Sequence, residues 1–283
     1  MHIVRIVDIH KIIASEKSAL TYISNKLIDK PVRCPMCRSK KFYLMNRGNF
    51  RCRNCKIDYN PLSSTHFSIV NIPLYKWLAL IKLFELSISA RKAAIEAGVS
   101  YPTALKAFGS IRRTIAEELA KKDRKLKGEI ELDEAYFGGK RKGNRGRGAG
   151  NKVIVFGILE RKGKVSVDIV PNVSAETLLQ STVKKVRRGS IVYTDKWKSY
   201  DSLMFCGYRH LQIDHGKRFS RGKVYINGIE GFWSFAKERL IKFHGISPRK
   251  FPYYIKEQEW RYNNKDKNLF ELIVNYMLGV IGL

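Results

Sequence analysis

The chain is predicted to be an α/β protein in which a small cysteine-based ribbon and a helical region precede a mixed-sheet domain. Three observations carry this reading. Two Cys-x2-Cys pairs lie within 22 residues near the start, a 3.6-residue apolar period takes over at Pro73, and a two-residue period replaces it at Gly128. A chain of 283 residues with 44% apolar and 11% aromatic side chains can bury a sizeable core over about two domains, which excludes low-complexity disorder.

Residues 1–30 read as a polar lead-in with an amphipathic stretch around Ile12 to Leu27. Residues 31–70 are rich in Cys, Arg and Asn, and runs such as Lys41-Phe42-Tyr43-Leu44 and Asn49-Phe50-Arg51 suit short strands. From Pro73, Leu74, Trp77, Leu78, Ile81 and Phe84 share one helical face. A second helix covers Ser89 to Ala97 and stops at Gly98, and a third, with Pro102 at its start, runs on through Phe108, Ile115 and Leu119. Lys121 to Lys125 read as a linker.

Strands are then predicted over Gly128–Phe137, Lys152–Leu159 and Lys164–Val170, the last two joined at Lys162-Gly163. A helix capped by Ser174 runs to Arg187 and is followed by a buried strand, Ser190–Thr194, and a short helix, Lys198–Phe205. His210–Ile213 fits a last strand, Ile226–Phe243 a long helix, and Phe251 onward one or two more helices. The predicted organisation is a lead-in (1–30), a ribbon (31–70), a helical region (71–122), an α/β domain (128–245) and a helical C-terminal region (246–283).

The balance of 54 Lys+Arg against 25 Asp+Glu leaves a net charge of +29. It is spread as +9 over residues 1–70, +7 over 71–128 and +13 over 129–283, so each part is expected to touch the same polyanion. No run of about 18 apolar residues and no secretory leader is present, which predicts an intracellular, cytoplasmic protein. A basic amphipathic helix that would dominate a membrane-surface role is lacking as well.

Cys34-Pro35-Met36-Cys37 and Cys52-Arg53-Asn54-Cys55 are separated by 14 residues. Two thiolates three positions apart at a tight turn face one ion, and two such knuckles complete a tetrahedral structural zinc site. Arg33, Arg38, Lys40, Lys41, Arg47, Arg51, Arg53 and Lys56 surround it and suggest a nucleic-acid docking module. Cys206 is the odd cysteine and reads as a small buried apolar residue.

Ser89 to Lys106 follow a helix-turn-helix pattern that would point Tyr101, Thr103 and Lys106 at a DNA major groove, an ordinary helical hairpin being the alternative. Three acids stand out in so basic a chain: Asp133 within a strand, Asp195 at a strand end 62 residues later, and Glu230 near a helix start 35 residues further on. Hard oxygen ligands in that order suit two Mg2+ or Mn2+ ions for phosphoryl transfer. The loop Lys140 to Lys152, with Lys140, Arg141, Arg145 and Arg147 among glycines, suits wrapping of a DNA backbone. Trp197, Tyr200 and Trp233 are candidates for stacking on bases, core packing being the preferred role for Trp233.

Asp133 to Arg141, Val155 to Arg161, Tyr193-Thr194-Asp195 and Asn227-Gly228-Ile229-Glu230-Gly231-Phe232-Trp233-Ser234 resemble the catalytic blocks of prokaryotic insertion-sequence transposases. The group is the zinc-ribbon branch of the DDE superfamily, whose ISXO-type catalytic domain is ribonuclease H-like. The resemblance implies an α/β, ribonuclease H-like mixed-sheet domain preceded by the zinc ribbon and the helix-turn-helix. By the same resemblance Asp133 and Asp195 match the metal-holding aspartates, and Glu230 the third acid. Lys237 matches a following basic residue, on the same helix face as Glu230, that would grip a phosphate. Asn227 is a second donor for the third position through its carbonyl oxygen, and His215 could also touch the site, a structural role being favoured for it.

The expected activity is that of a transposase binding inverted-repeat ends, with metal-dependent cleavage and strand transfer. Its partners are double-stranded element and target DNA and at least one further copy of the chain, in a prokaryotic nucleoid. A zinc-ribbon DNA-binding regulator and an inactive transposase remnant are the competing readings.

Overall fold

The computed structural model describes residues 4–28, 33–45, 49–121, 124–138, 152–195, 206–213, 225–243 and 245–279. The predicted helix Lys198–Phe205, the loop residues Lys140, Arg141, Arg145 and Arg147, and Trp197, Tyr200 and His215 lie outside them. The chain forms two compact units, residues 1–118 with 264–283, and residues 119–263.

In the first unit the expected lead-in is two helices, α1 (Ile6–Ile13) and α2 (Glu16–Ile28). A three-stranded antiparallel ribbon follows, β1 (Phe42–Leu44), β2 (Phe50–Cys52) and β3 (Asp58–Tyr59), in which Phe42 and Phe50 stack with ring centres 4.1 Å apart. Helix α3 (Leu74–Glu85) starts behind Pro73 as predicted and buries Trp77, Leu78, Leu80, Ile81 and Phe84. Both α1 and α2 pack on it. A surface lead-in would expose its apolar face; here Ile9, Ala19, Ile23 and Leu27 are buried.

Helices α4 (Ala90–Glu96) and α5 (Tyr101–Ala120) meet through a tight turn. Ser89 caps α4 by accepting from the Lys92 N–H. Gly98 takes a left-handed φ of +58°, with its own N–H on Ile95 O and the Val99 N–H on Ala94 O, a double bond pattern that closes the helix. Lys76 of α3 donates to Gly98 O at 2.7 Å, and Ser100 accepts from the Thr103 N–H to start α5. The caps and the glycine that make this turn are local, and Lys76 ties it to α3.

The second unit is built on a five-stranded sheet: β4 (Glu129–Phe137), β5 (Val153–Glu160), β6 (Val165–Val170), β7 (Ile191–Asp195) and β8 (Arg209–Ile213). Their order is β6-β5-β4-β7-β8, with β5 antiparallel to its neighbours and β4, β7 and β8 parallel. Read by sequence the order is third, second, first, fourth, fifth, the ribonuclease H-like mixed sheet that the resemblance implies.

Side chains alternate between two apolar layers. Ile130, Leu132, Phe156, Ile158 and Val192 meet α6 (Ala175–Lys185) through Leu178, while Ala135, Phe137, Val155, Leu159 and Tyr193 meet α7 (Asn227–Leu240) and α8 (Phe251–Asn263). Cys206, expected to be buried, is only half-buried against the α6 layer.

Strand β6 would leave unpaired backbone at the sheet edge, and α8 covers it with side chains. Asn263 exchanges hydrogen bonds with the Val165 N–H and C=O, both 2.8 Å, Glu259 accepts from the Val167 N–H, and Lys256 donates to Val167 O. Residues 256, 259 and 263 occupy one helix face, and the outward backbone groups of a strand recur every second residue, so the two spacings match. The last helix, α9 (Leu269–Met277), belongs to the first unit and packs on α3. The residues expected to form one C-terminal helical region thus divide between the units.

Candidate active site and metal centre

The two Cys-x2-Cys segments fold as matching knuckles. In each, the N–H of the residue after the second cysteine returns to the carbonyl of the first: Arg38 to Cys34 at 2.9 Å, and Lys56 to Cys52 at 3.1 Å. Arg38 and Lys56 take left-handed φ values of +56° and +61°, strain of about 1 kcal/mol each that the knuckle imposes on non-glycine residues. The four sulfurs lie within 4.8 Å of one another, with Cys34–Cys55 and Cys37–Cys52 at 3.5 Å. Tetrahedral zinc with bonds near 2.3 Å separates its sulfurs by roughly 3.8 Å, so the set fits that ion. The Ser39 backbone N–H brings the Cys37 thiol down to about 6, while burial and the neighbouring thiols push Cys55 up to about 12, so without an ion the four sulfurs do not ionise together. Beside the ribbon the Arg53 guanidinium sits 4.4 Å over the ring of exposed Tyr43.

The acidic residues are brought together by sheet register. Parallel pairing aligns Glu129 with Ile191 and Glu131 with Tyr193; Asp133 and Asp195 each follow the last of these residues by two positions, which puts both on the sheet face that meets α7. On the other side of β4, Asp133 pairs with Gly157. A Cβ at Gly157 would fall 2.5 Å from the Trp233 ring and 2.9 Å from Ile229, so the glycine is what lets α7 lie against the sheet. Trp233, 4% exposed, then donates its indole N–H to Asp133 Oδ2 at 3.0 Å. The indole is core and second partner to an acid at once, which excludes it from stacking on bases.

Burial raises the Asp133 carboxyl to about 7; the charges of Glu134 and Asp195 push the same way, against hydrogen bonds from the Glu134 N–H and Trp233. The Asp195 contribution places that charge within interaction range of Asp133. A cation between the two would relieve this repulsion, so the pair suits a hard divalent ion.

Asn227, Glu230 and Lys237 are exposed on α7, Glu230 one turn before Trp233 and Lys237 one turn after. Among the described residues the cysteines form the cluster whose ligand atoms gather within 4.8 Å; Asp133, Asp195 and Glu230 are not drawn that close. Two ions about 3.5–4 Å apart do not require it, because their ligands span both. Of the predicted DNA-contact residues, Tyr101 and Lys106 are exposed on α5, while Thr103 is half-buried with its hydroxyl 2.8 Å from Ser100 Oγ.

Sequence reasoning passed over Glu131 and Arg161. Glu131, 1% exposed, caps the start of α7 by accepting from the Ile229 N–H at 2.9 Å. A Cβ at Gly228 would come within 2.8 Å of the same carboxylate, which explains the glycine in Asn227-Gly228-Ile229. The available signal was the strand period, which sets Glu129, Glu131 and Asp133 on the same face as the apolar Ala135 and Phe137.

The chain is similar to known transposases. A family model described as an ISXO2-like transposase domain matches residues 125–263, and one described as a transposase zinc-ribbon domain matches residues 14–57. An "Uncharacterized transposase-like protein" of Haemophilus influenzae is 47% identical over 105 residues, covering 37% of this chain and 85% of the relative. Among solved structures, the Mos1 Strand Transfer Complex overlaps 72% of this chain and 79% of its own at 14% identity and a TM-score of 0.30. A pre-cleavage Mos1 transpososome overlaps 71% and 78% at 12% identity and a TM-score of 0.29. No helix among the described residues is long and apolar enough to cross a membrane. On the two family models and the close relative, the chain belongs to the zinc-ribbon, ISXO2-like family of transposases.

Proposed function

We propose that this transposase binds the inverted-repeat ends of an insertion sequence and cuts and joins DNA at a site made by Asp133, Asp195 and the first turn of α7. The observation that supports this reading is the Asp133 carboxylate, within electrostatic reach of Asp195 and hydrogen-bonded by Trp233 of the helix that also bears Glu230 and Lys237. Mg2+ or Mn2+ ions held by Asp133, Asp195 and Glu230, with the Asn227 carbonyl as the alternative third donor, would activate the attacking oxygen and stabilise the leaving oxygen.

The chain's own residues do the rest. Trp233 fixes one Asp133 oxygen and shields the carboxylate from water on the core side. Lys237, exposed two turns beyond Glu230 on the same helix, would offer a phosphate a charged donor. Tyr101 and Lys106 on α5, and the Arg53–Tyr43 pair on the ribbon, offer the contacts by which ends are held. Zinc on the four cysteines keeps the ribbon folded and leaves no ligand position for chemistry. Pairing two ends implies that at least two copies act together, and Lys140, Arg141, Arg145 and Arg147 belong to the segment assigned to the DNA backbone.

Strand cleavage of DNA carrying the sequences that flank the coding region tests the reading. Asp133→Asn and Asp195→Asn are expected to lower metal-dependent cleavage by roughly 10^3-fold with end binding retained. Full cleavage by either variant refutes the site, and binding without any metal-dependent cleavage by the parent chain favours the regulator reading instead.

A further inference from the structure

Arg161 lies outside the acidic set, yet it reaches every element that carries it. Its Nε donates to Glu131 Oε1 and its Nη1 to Glu129 Oε2, both at 2.9 Å, on β4 two and four residues before Asp133. Its guanidinium centre sits 3.7 Å from the Tyr193 ring, two residues before Asp195 on β7. It also lies 3.9 Å from the Tyr225 ring, and its Nη2 donates to the Tyr225 carbonyl, two residues before Asn227 at the start of α7. Glu131 passes the link on, because its second oxygen accepts the Ile229 N–H of α7 at 2.9 Å. The Arg161 side chain is 10% exposed and that of Glu131 1% exposed.

We propose that Arg161 is a positioning residue that sets the spacing of Asp133, Asp195 and the first turn of α7. A planar, delocalised cation with several N–H donors suits these contacts: two aromatic rings within 4 Å of its centre and three acceptors on Nε, Nη1 and Nη2. The contacts stand two to five residues along the chain from Asp133, Asp195 or Glu230, so a shift of any of the three elements must break a contact to the guanidinium. A purely structural ion pair needs one carboxylate; this side chain serves two carboxylates, two rings and a carbonyl converging from β4, β7 and the start of α7. The inference rests on the reading of the acids as metal-holding residues.

The test uses the full chain with its zinc loaded and Mn2+ alone as the probe, binding being followed through the paramagnetic resonance of free Mn2+. Arg161→Lys keeps the charge and loses the plane, and is expected to weaken Mn2+ binding by about 10-fold, the effect typical of groups that orient metal ligands. Tyr225→Leu removes one ring face at a half-buried position and guards against a fold failure of the first variant; its expected loss is smaller, in the same direction. Thermal unfolding of each variant, measured alongside, confirms that binding is read on folded protein. Parent-like Mn2+ affinity in both variants overturns the proposal while leaving the metal site standing, provided Asp133→Asn abolishes binding. If Asp133→Asn binds as the parent does, the metal reading fails and takes the proposal with it.

Discussion

In the ribbon, a stretch of 22 residues delivers four sulfurs to within 4.8 Å of one another, whereas Asp133, Asp195 and Glu230 come from two strands and a helix spread over 98 residues. The first cluster is made by turns: Arg38 and Lys56 close their knuckles through hydrogen bonds that never leave the local segment. The second is made by register: moving β7 by one residue against β4 would turn Asp195 to the opposite face of the sheet. The ribbon is therefore expected to depend on its ion, and the carboxylate site on its packing.

The widest separation between the two regions should come from removing zinc. Chelation, or Cys34→Ser, is expected to cost the ribbon on the order of 10 kcal/mol and unfold it, because four sulfurs and a few short strands hold little else. The sheet of residues 119–263 should keep its protection in hydrogen exchange. Joint unfolding of ribbon and sheet would break the comparison.

Acidity should separate them next. The Asp133 carboxyl titrates at about 7 in the folded, metal-free chain against an ordinary value of 3.8. Between these values the native state keeps a proton that the unfolded state has lost, so the unfolding free energy should fall as pH rises, by at most about 1.4 kcal/mol per unit. The full stability is present below the lower value and is gone above the higher one. Urea denaturation of residues 119–263 between pH 4 and 8, repeated with Asp133→Asn, measures this, and the variant should flatten the slope.

Packing comes third. Gly157→Ala sets a methyl 2.5 Å from the Trp233 ring and is expected to cost about 1–3 kcal/mol while loosening the indole from Asp133. Its denaturation midpoint should drop without any change in the zinc content of the ribbon. The smallest effect is a local one, in the first unit: Ser100→Ala removes the cap of α5 and should cost about 1 kcal/mol, read from thermal unfolding.

What could be read along the chain was whatever depends on near neighbours. Ser89, Gly98 and Ser100 announce the α4–α5 turn because the bonds that close and start its helices reach only three to five residues. The alternation in Glu131-Leu132-Asp133 announces a strand because each face of β4 meets its own layer. Residues 6–28 were harder: α1 is short and exposes Ile6 and Val7, and its place beside α3 follows from burial of Ile9, which no local pattern encodes. Glycines 157 and 228 carried no reading of their own, since each is explained by an atom from a distant segment, the Trp233 ring or the Glu131 carboxylate.

The amino-acid sequence by itself determined the donor types, the cysteine knuckles, the helix caps and the order of strands and helices, all of which follow from bonding within a few residues or from periodicity. Tertiary structure alone decided that the Asp195 charge comes within reach of Asp133, that Trp233 and Glu131 tie α7 to β4, and that Arg161 binds β4, β7 and the start of α7 together. The physical reason is that strand register and helix docking are set by the sum of many apolar contacts across the sheet, so the neighbours of a buried charge are chosen by packing and not by distance along the chain.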